Sequence, residues 1–245
     1  MHNRVQNKAI VLLSGGLDSC VTTAIAKEQY DICLLHINYG QKTEKREKRA
    51  FDEIANYYHV QERLSVNIDY LSQIKGSSLI DESLYIPQEP SPPDKIPSTY
   101  VPFRNAHLLA IAVSWGEKIG ARKIFIGAME EDGSGYPDCR EDFFKTFNQA
   151  IEVGTKPETY IRIETPVIHK TKAEVVQIGK RLNAPLHLTW SCYKETEQAC
   201  GVCESCRLRI NAFKKAGLRD PIPYKISIDW KPKDKKPVHT TGRHE

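Results

Sequence analysis

A serine- and glycine-rich turn near the start of the chain contains residue types that could bind phosphate. The turn comprises residues 14–19 and follows the apolar run 9–13. Apolar residues recur at helical spacing after it, so the segment is typical of a strand, a tight turn and the start of a helix. Such a turn directs unpaired backbone N–H groups and the positive end of the helix dipole at one point, which favours an anion.

We expect this turn to hold the phosphates of a nucleotide. Its two glycines carry no Cβ, so the backbone could come close to a phosphate, and its serine hydroxyls add donors. Asp18 suits a Mg²⁺ ion on the phosphates. The turn lacks the lysine of G-x-x-x-x-G-K-[ST] and the third glycine of G-x-G-x-x-G, and the alternative is a turn that merely joins a strand to a helix. The predicted phosphate-binding residues, which become ATP-binding residues if the resemblance described below holds, are Leu13, Ser14, Gly15, Gly16, Leu17, Asp18 and Ser19.

Four of the seven cysteines crowd into fifteen residues, namely Cys192, Cys200, Cys203 and Cys206. Three of them are too closely spaced for comfortable mutual pairing, but they suit a turn wrapped around one ion, with Cys192 completing a tetrahedron. A structural Zn²⁺ is the first interpretation, an iron–sulfur cluster the second, and free or redox thiols the third. With four protein ligands, zinc would have no open coordination position and would be structural.

Three further segments bring charged and aromatic residues beside predicted elements. Residues 100–105 open a helix after a long loop, and residues 127–140 follow a short apolar strand. Lys172 opens a later helix, where it could reach an anion. On composition alone, residues 127–140 could equally be a glycine-rich surface loop, and Lys172 a solvated lysine at a helix start.

Strands and helices alternate along the chain. Apolar runs predict strands at residues 9–13, 31–37, 59–66 and 123–126. Helical periodicity predicts helices after residue 17, after a Thr43 cap, at 104–119, at 141–152, at 171–182 and from about 204. The alternation predicts an α/β fold with a doubly wound, mostly parallel sheet that binds ligands at the carboxyl ends of its strands.

Composition indicates how the remaining segments are organised. A proline-rich segment, about residues 86–102, can be neither regular helix nor interior strand. We expect an α/β domain over residues 1–185, a small helical zinc-binding region over 186–225 and a flexible tail over 226–245.

The net charge of the 245-residue chain is +4, and residues 231–245 carry +3 of it. The rest of the chain is therefore nearly neutral and lacks the electrostatic footprint of a nucleic-acid-binding protein. No run approaches the roughly 18 apolar residues of a membrane span, and no signal-like start is visible. We expect a soluble, cytoplasmic protein without a nucleic-acid or membrane partner.

The S-G-G-x-D-S turn resembles the pyrophosphate-binding loop of the N-type ATP pyrophosphatases, which cleave ATP between the α- and β-phosphates and transfer AMP to a substrate oxygen. Over about residues 8–225, the chain resembles one family of that superfamily, the 7-cyano-7-deazaguanine synthases. The marks of this resemblance are the turn itself, Val101-Pro102-x-Arg104-Asn105, Ser134-Gly135-Tyr136-Pro137-Asp138-Cys139-Arg140, Lys172-Ala173-Glu174, Trp190-Ser191-Cys192-Tyr193, the cysteine knuckle and Asp220-Pro221-Ile222-Pro223-Tyr224.

The resemblance implies an adenine nucleotide alpha hydrolase-like fold, a homodimer, and conversion of 7-carboxy-7-deazaguanine and ammonia to the nitrile with ATP, Mg²⁺ and Zn²⁺. On this reading Asp18, Arg104 and Lys172 are catalytic, with Arg104 neutralising a carboxylate or the α-phosphate. Lys172 would stabilise charge at the α-phosphorus, Asp138 would read the guanine-like N–H donors, and Tyr136 would stack on the base. The predicted substrate-binding residues are Tyr100, Arg104, Asn105, Tyr136, Asp138 and Arg140.

The sequence departs from the family pattern at two places, and two other classes of function stay open. The family usually has a small residue, often glycine, where this chain has Phe103, and Gly-Gly where it has Glu195-Thr196, with one residue fewer before the knuckle. A tRNA-modifying adenylase would share the phosphate turn, but it would need an RNA-binding face. A zinc-knuckle binding module with a vestigial ATP loop is the other class, and the intact Asp18 and Ser19 argue against it.

Overall fold

A computed structural model of the protein describes residues 7–87, 95–130 and 135–230. The strands are β1 (Lys8–Leu12), β2 (Asp31–Asn38), β3 (Arg63–Asn67), β4 (Lys123–Ile126) and β5 (Arg162–Glu164). The helices are α1 (Leu17–Lys27), α2 (Glu44–Tyr57), α3 (Tyr70–Ile74), α4 (Arg104–Ile119), α5 (Glu141–Gly154), α6 (Lys172–Arg181) and α7 (Glu204–Lys215). Two short 3₁₀ turns lie at Pro137–Cys139 and Leu186–Leu188.

The five strands form one parallel sheet in the order β3-β2-β1-β4-β5. Ile10 of the central strand β1 pairs with Cys33 of β2 on one side and with Ile124 of β4 on the other. The chain runs outward from β1 through β2 to β3 and returns to β4, so the strand order reverses between β1 and β4. This arrangement confirms the predicted parallel α/β fold, and the reversal is the place where such sheets bind ligands.

Helices cover both faces of the sheet. Alternate residues of β1 therefore pack into two different apolar clusters. Ile10 and Leu12 pack in a cluster that includes Leu109 of α4 and Phe144 of α5. Val11, one position along the strand, packs in a second cluster with residues of α1 and α2. Burial on both faces explains why β1, β2 and β4 read as continuous apolar runs.

The region after residue 185 packs on the α/β layer. Phe213 of α7 shares an apolar cluster with Val21 of α1 and Val176 of α6. Of the predicted tail, residues 226–230 are described, and the Trp230 ring packs 6.3 Å from that of Tyr224; residues 231–245 lie outside the described residues. The division at residue 185 stays a prediction.

Several predicted boundaries are wrong for physical reasons. β3 begins at Arg63 and not at residue 59, because His59 adopts a left-handed turn with φ 55°. Thr43 occupies the predicted cap position, but its hydroxyl donates to the Glu47 carboxylate at 2.6 Å and caps no backbone N–H. β5 was not predicted from the sequence.

The segments between the helices add two observations. Residues 95–102 contain no helix or strand, in keeping with their prolines, and residues 88–94 lie outside the described residues. Among the helices described, none has the length and apolar character needed to cross a membrane.

Candidate active site

The phosphate turn lies at the carboxyl end of β1, where the strand order reverses. Helix α1 begins at Leu17, and no side chain in the described part of the chain caps its first turn. The Ser14 hydroxyl accepts the Gly16 N–H at 3.2 Å and lies 3.0 Å from the Ser19 hydroxyl. The amino end of α1 is therefore open to an anionic ligand, beside two hydroxyl groups.

The structure gives a packing reason for the glycine at position 15. Gly15 has φ +90°, and a Cβ there would lie 2.7 Å from the Glu47 carbonyl oxygen and 2.8 Å from the Ala50 Cβ. Its own carbonyl accepts the Trp190 N–H at 2.8 Å. Gly15 is thus buried against α2 and needed for the shape of the turn, whereas Gly16 faces the cavity described below. The approach of Gly15 to a phosphate stays a prediction, but the structure requires a glycine there for its packing against α2.

Asp18 and Lys172 meet across 154 residues of sequence. The Lys172 Nζ lies 2.7 Å from Asp18 Oδ2. The capping box at the start of α6, in which Thr171 and Glu174 exchange hydrogen bonds, fixes the point from which Lys172 projects. The alternative of a solvated helix-start lysine is therefore wrong.

The other carboxylate oxygen of Asp18, Oδ1, is buried and finds no hydrogen-bond partner within the described residues. An orphaned carboxylate oxygen beside a phosphate turn is the ligand type that Mg²⁺ prefers. The residues present therefore fit a Mg²⁺ ion held between Asp18 and the phosphates of a nucleotide.

Arg104, the first residue of α4, lies against Tyr39 at the carboxyl end of β2. Its Nη1 donates to the Tyr39 hydroxyl at 2.9 Å, and the guanidinium carbon lies 5.1 Å from the ring centre. Burial raises the pKa of Tyr39 to about 12, which keeps the hydroxyl neutral. The Arg104 Nε is buried and has no hydrogen-bond partner among the described residues, so the side chain retains a donor for a ligand.

The Asp138 carboxylate, which was expected to bind the base, is engaged by the backbone at the start of α4. Asp138 is 3% exposed, and its Oδ2 accepts the backbone N–H of Asn105 at 2.8 Å. The Asn105 side chain in turn donates to the Asp138 carbonyl at 2.8 Å. Asp138 therefore holds the start of α4 and is not among the residues that line the cavity described below, so its predicted contact with the base stays a prediction.

Two other predicted substrate residues are not among those that line the cavity. The Tyr100 hydroxyl accepts the Phe103 N–H at 3.0 Å, and Arg140 is exposed at the start of α5. Tyr136, by contrast, faces the cavity, and its hydroxyl lies 2.6 Å from that of Thr99. Ser134, which belongs to the same motif, lies outside the described residues.

A cavity of about 340 Å³ connects these groups at the carboxyl edge of the sheet. The predicted residues that line it are Leu13, Ser14, Gly16, Leu17, Asp18, Ser19, Arg104, Asn105, Tyr136, Lys172 and Cys192. It is also lined by residues that were not predicted, among them Tyr39, Glu47, Trp190, Glu204 and Arg209. Tyr39 could have been found because it directly follows a buried strand, and Glu204 because it directly follows Cys203.

The four clustered cysteines form a compact, buried group. Their sulfur atoms all lie within 4.8 Å of one another, and a tetrahedron with Zn–S bonds of about 2.3 Å would have sulfurs about 3.8 Å apart. Backbone N–H groups of Lys194 and Cys200 point at the Cys192 sulfur, each at 3.4 Å. The group therefore fits a closed metal site.

A buried ion pair fastens the cysteine region to the rest of the site. Arg209 donates from Nε and Nη2 to the two Asp220 oxygens, at 2.7 and 3.0 Å. Its Nη1 donates to the Thr189 hydroxyl at 2.8 Å. Because Trp190, the next residue, bonds to Gly15, this network links α7 to the phosphate turn.

Comparison with known proteins places the chain in a family. Residues 8–217 match the family model described as "Queuosine biosynthesis protein QueC". The chain belongs to this family. Similar proteins named 7-cyano-7-deazaguanine synthase occur in Chlorobium phaeobacteroides, at 56% identity over 91% of this chain and 99% of the relative, and in Nautilia profundicola, at 52% identity over 89% and 98%.

The structure describes both positions at which the sequence was expected to depart from the family pattern. Phe103 has φ 56°, a left-handed conformation that glycine adopts without strain, and its ring packs on Phe143 at 5.9 Å. In the shortened loop, the Glu195 carbonyl accepts the Trp190 indole N–H at 2.9 Å, and the Glu195 side chain pairs with Lys225 at 2.6 Å. The loop before the cysteines is therefore closed by contacts that need no glycine pair.

Proposed function

We propose that this chain converts 7-carboxy-7-deazaguanine and ammonia to 7-cyano-7-deazaguanine, using ATP to activate the oxygen that must leave. The observation that carries the proposal is the meeting of the phosphate turn, Lys172 and Arg104 around one cavity. It is supported by family membership and by relatives of the same name that match over nearly their whole length.

The chemistry requires two activations, because carboxylate and amide oxygens are both poor leaving groups. In the first, a carboxylate oxygen attacks the α-phosphorus of ATP and pyrophosphate leaves. The ammonia nitrogen then attacks the acyl carbon and loses a proton, AMP leaves with the oxygen, and the amide remains. In the second, the amide oxygen attacks the α-phosphorus of another ATP and pyrophosphate leaves. Loss of the two N–H protons and of AMP, which takes the oxygen with it, then gives the nitrile.

Charge in these steps develops where the cavity presents cations and donors. The open end of α1 and the Ser14 and Ser19 hydroxyls would hold the departing pyrophosphate. Lys172 would neutralise charge at the α-phosphorus, and Arg104 would hold the substrate carboxylate or the α-phosphate through its planar fork. A Mg²⁺ ion bound by Asp18 would screen the phosphates.

We assign the cysteine group to a structural zinc. The four thiols leave no open coordination position, and Cys203 directly precedes α7, so the ion would fix the start of that helix. Iron is the alternative that elemental analysis of the purified protein distinguishes.

The finer properties follow from the same assignment. We place the enzyme among the ligases that form C–N bonds with ATP, in the cytoplasm, as a homodimer without a nucleic-acid partner. The near-neutral charge of residues 1–230 supports the last point. Filter binding with tRNA tests it, and retention of tRNA at physiological salt would favour a tRNA-modifying adenylase.

Mass spectrometry tests the function directly. Purified protein with ATP, Mg²⁺, ammonium and 7-carboxy-7-deazaguanine is expected to yield the amide and then the nitrile, and pyrophosphate is expected only when the carboxylate is present. Absence of both products from a zinc-loaded, folded preparation would overturn the proposal.

A further inference from the structure

Asp138 is not among the residues that line the cavity, and other carboxylates face it. Among the described residues, three carboxylates line the cavity: those of Asp18, Glu47 and Glu204. Asp18 pairs with Lys172. Glu47 accepts hydrogen bonds from Thr43 at 2.6 Å and Gln41 at 3.0 Å.

Glu204 differs from the other two because its carboxylate is uncommitted. It forms no hydrogen bond or ion pair with any residue in the described ranges 7–87, 95–130 and 135–230. It is the first residue of α7, directly between two cysteines of the metal group in sequence. Glu204 is therefore held at a fixed point of the cavity wall, with both oxygens available to a ligand.

The neighbours of Glu204 suit a flat, polar-edged ring. Tyr136 lines the same cavity as Glu204. Leu208, one helical turn after Glu204, also lines the cavity. An aromatic ring, an apolar side chain and a free carboxylate thus border the same space.

We propose that Glu204 is the specificity-determining carboxylate that accepts the N1–H and 2-amino hydrogen bonds of the 7-deazaguanine base. This inference rests on the proposed function and deepens it. A guanine-like edge presents two adjacent donors, and an ionised carboxylate offers two acceptor oxygens at matching spacing. Charge-assisted bonds of this kind discriminate strongly against a base that lacks the 2-amino group.

The test compares Glu204→Gln with the unaltered protein for two bases, 7-carboxy-7-deazaguanine and its analogue without the 2-amino group. The unaltered protein is expected to bind the first base about tenfold or more tightly. Glu204→Gln has lost one acceptor, so its Kd and KM for the first base are expected to rise about tenfold or more, and the preference to disappear. The KM for ATP is expected to stay unchanged.

Two controls separate base recognition from a structural effect. Glu197→Gln alters an exposed glutamate of the same region and is expected to change neither base affinity nor zinc content. Glu204→Asp keeps the acceptor pair and is expected to retain the preference for the 2-amino base. Zinc content and melting temperature of all variants report on folding.

The outcomes distinguish this inference from the function on which it rests. If the unaltered protein binds the base but forms no nitrile, the proposed function fails and the Kd values still decide the role of Glu204. If Glu204→Gln is folded and keeps both the affinity and the preference, Glu204 does not read the base. Loss of the preference in Asp138→Asn alone would return that role to Asp138.

Discussion

Removing Arg209 should destabilise the protein more than any surface charge change, because its partner would be left buried. Arg209 and Asp220 have side chains that are 1% and 0% exposed, and Arg209 also donates to Thr189, Ser191 and the Leu186 carbonyl. Breaking a buried pair by removing one partner costs about 3–5 kcal/mol.

The surroundings of Asp220 favour the lower end of that range. In Arg209→Met, the Asp220 carboxylate would keep the Tyr224 hydroxyl at 2.7 Å and the Ile222 N–H at 3.3 Å as donors. We therefore expect the free energy of unfolding to fall by about 3 kcal/mol, which for a chain of this size lowers the melting temperature by about 6–12 °C.

Urea denaturation in the presence of excess zinc measures this effect. If the slope of the free energy of unfolding against urea concentration is unchanged, the substitution has altered stability and not the surface exposed on unfolding. Replacing both partners, in Arg209→Met/Asp220→Leu, should cost less than the sum of the single changes, since neither charge is then left unpaired. The matched control Arg49→Met removes an exposed pair with Glu53 and is expected to leave the melting temperature unchanged. If Arg209→Met unfolds at the same urea concentration as the unaltered protein, the pair does not hold this region together.

Three other predictions concern single features of the site. Lys172→Met is expected to lower kcat about 10²–10³-fold through lost charge stabilisation at the α-phosphorus. Lys180→Met, on the exposed side of the same helix, is expected to leave kcat unchanged. Equal kcat values for the two variants would show that Lys172 takes no part in the reaction. At position 103, the free energy of unfolding of the Gly variant is expected to exceed that of the Ala variant by about 1 kcal/mol, because the backbone there is left-handed. If chemical denaturation finds the Ala variant more stable than the Gly variant, the backbone at this position is not strained. Chelation is expected to release one zinc per chain and to lower the melting temperature, because Cys203 directly precedes α7. Iron in the elemental analysis would refute the assignment.

The parts of the fold that were predictable from sequence are those with strong local signals. Helix α4 runs over the predicted residues because Pro102 precedes it and Gly120, with φ +71°, ends it. β1 and the phosphate turn were predictable because the apolar run 9–13 is followed by Ser14 and then by two glycines. β5, by contrast, has three residues, which is too short for alternation or periodicity to be read.

The candidate site was predictable in its residue types but not in its pairings. The sequence places Asp138 after a strand, where ligands bind, but it does not reveal that the Asn105 backbone N–H donates a hydrogen bond to the Asp138 carboxylate. Nor does it reveal that α2 crowds Gly15. Both facts depend on contacts between elements far apart in the chain, which local patterns do not encode.

An oxygen-isotope experiment tests the central claim, that this cavity activates substrate oxygen by transfer of AMP. The protein is supplied with ATP, Mg²⁺, ammonium and 7-carboxy-7-deazaguanine carrying ¹⁸O in both carboxylate positions, and the nucleotide products are weighed by mass spectrometry. Both AMP molecules released per nitrile are expected to carry one ¹⁸O atom, with unlabelled pyrophosphate. Label in orthophosphate accompanied by ADP would show attack at the γ-phosphorus and would contradict the account.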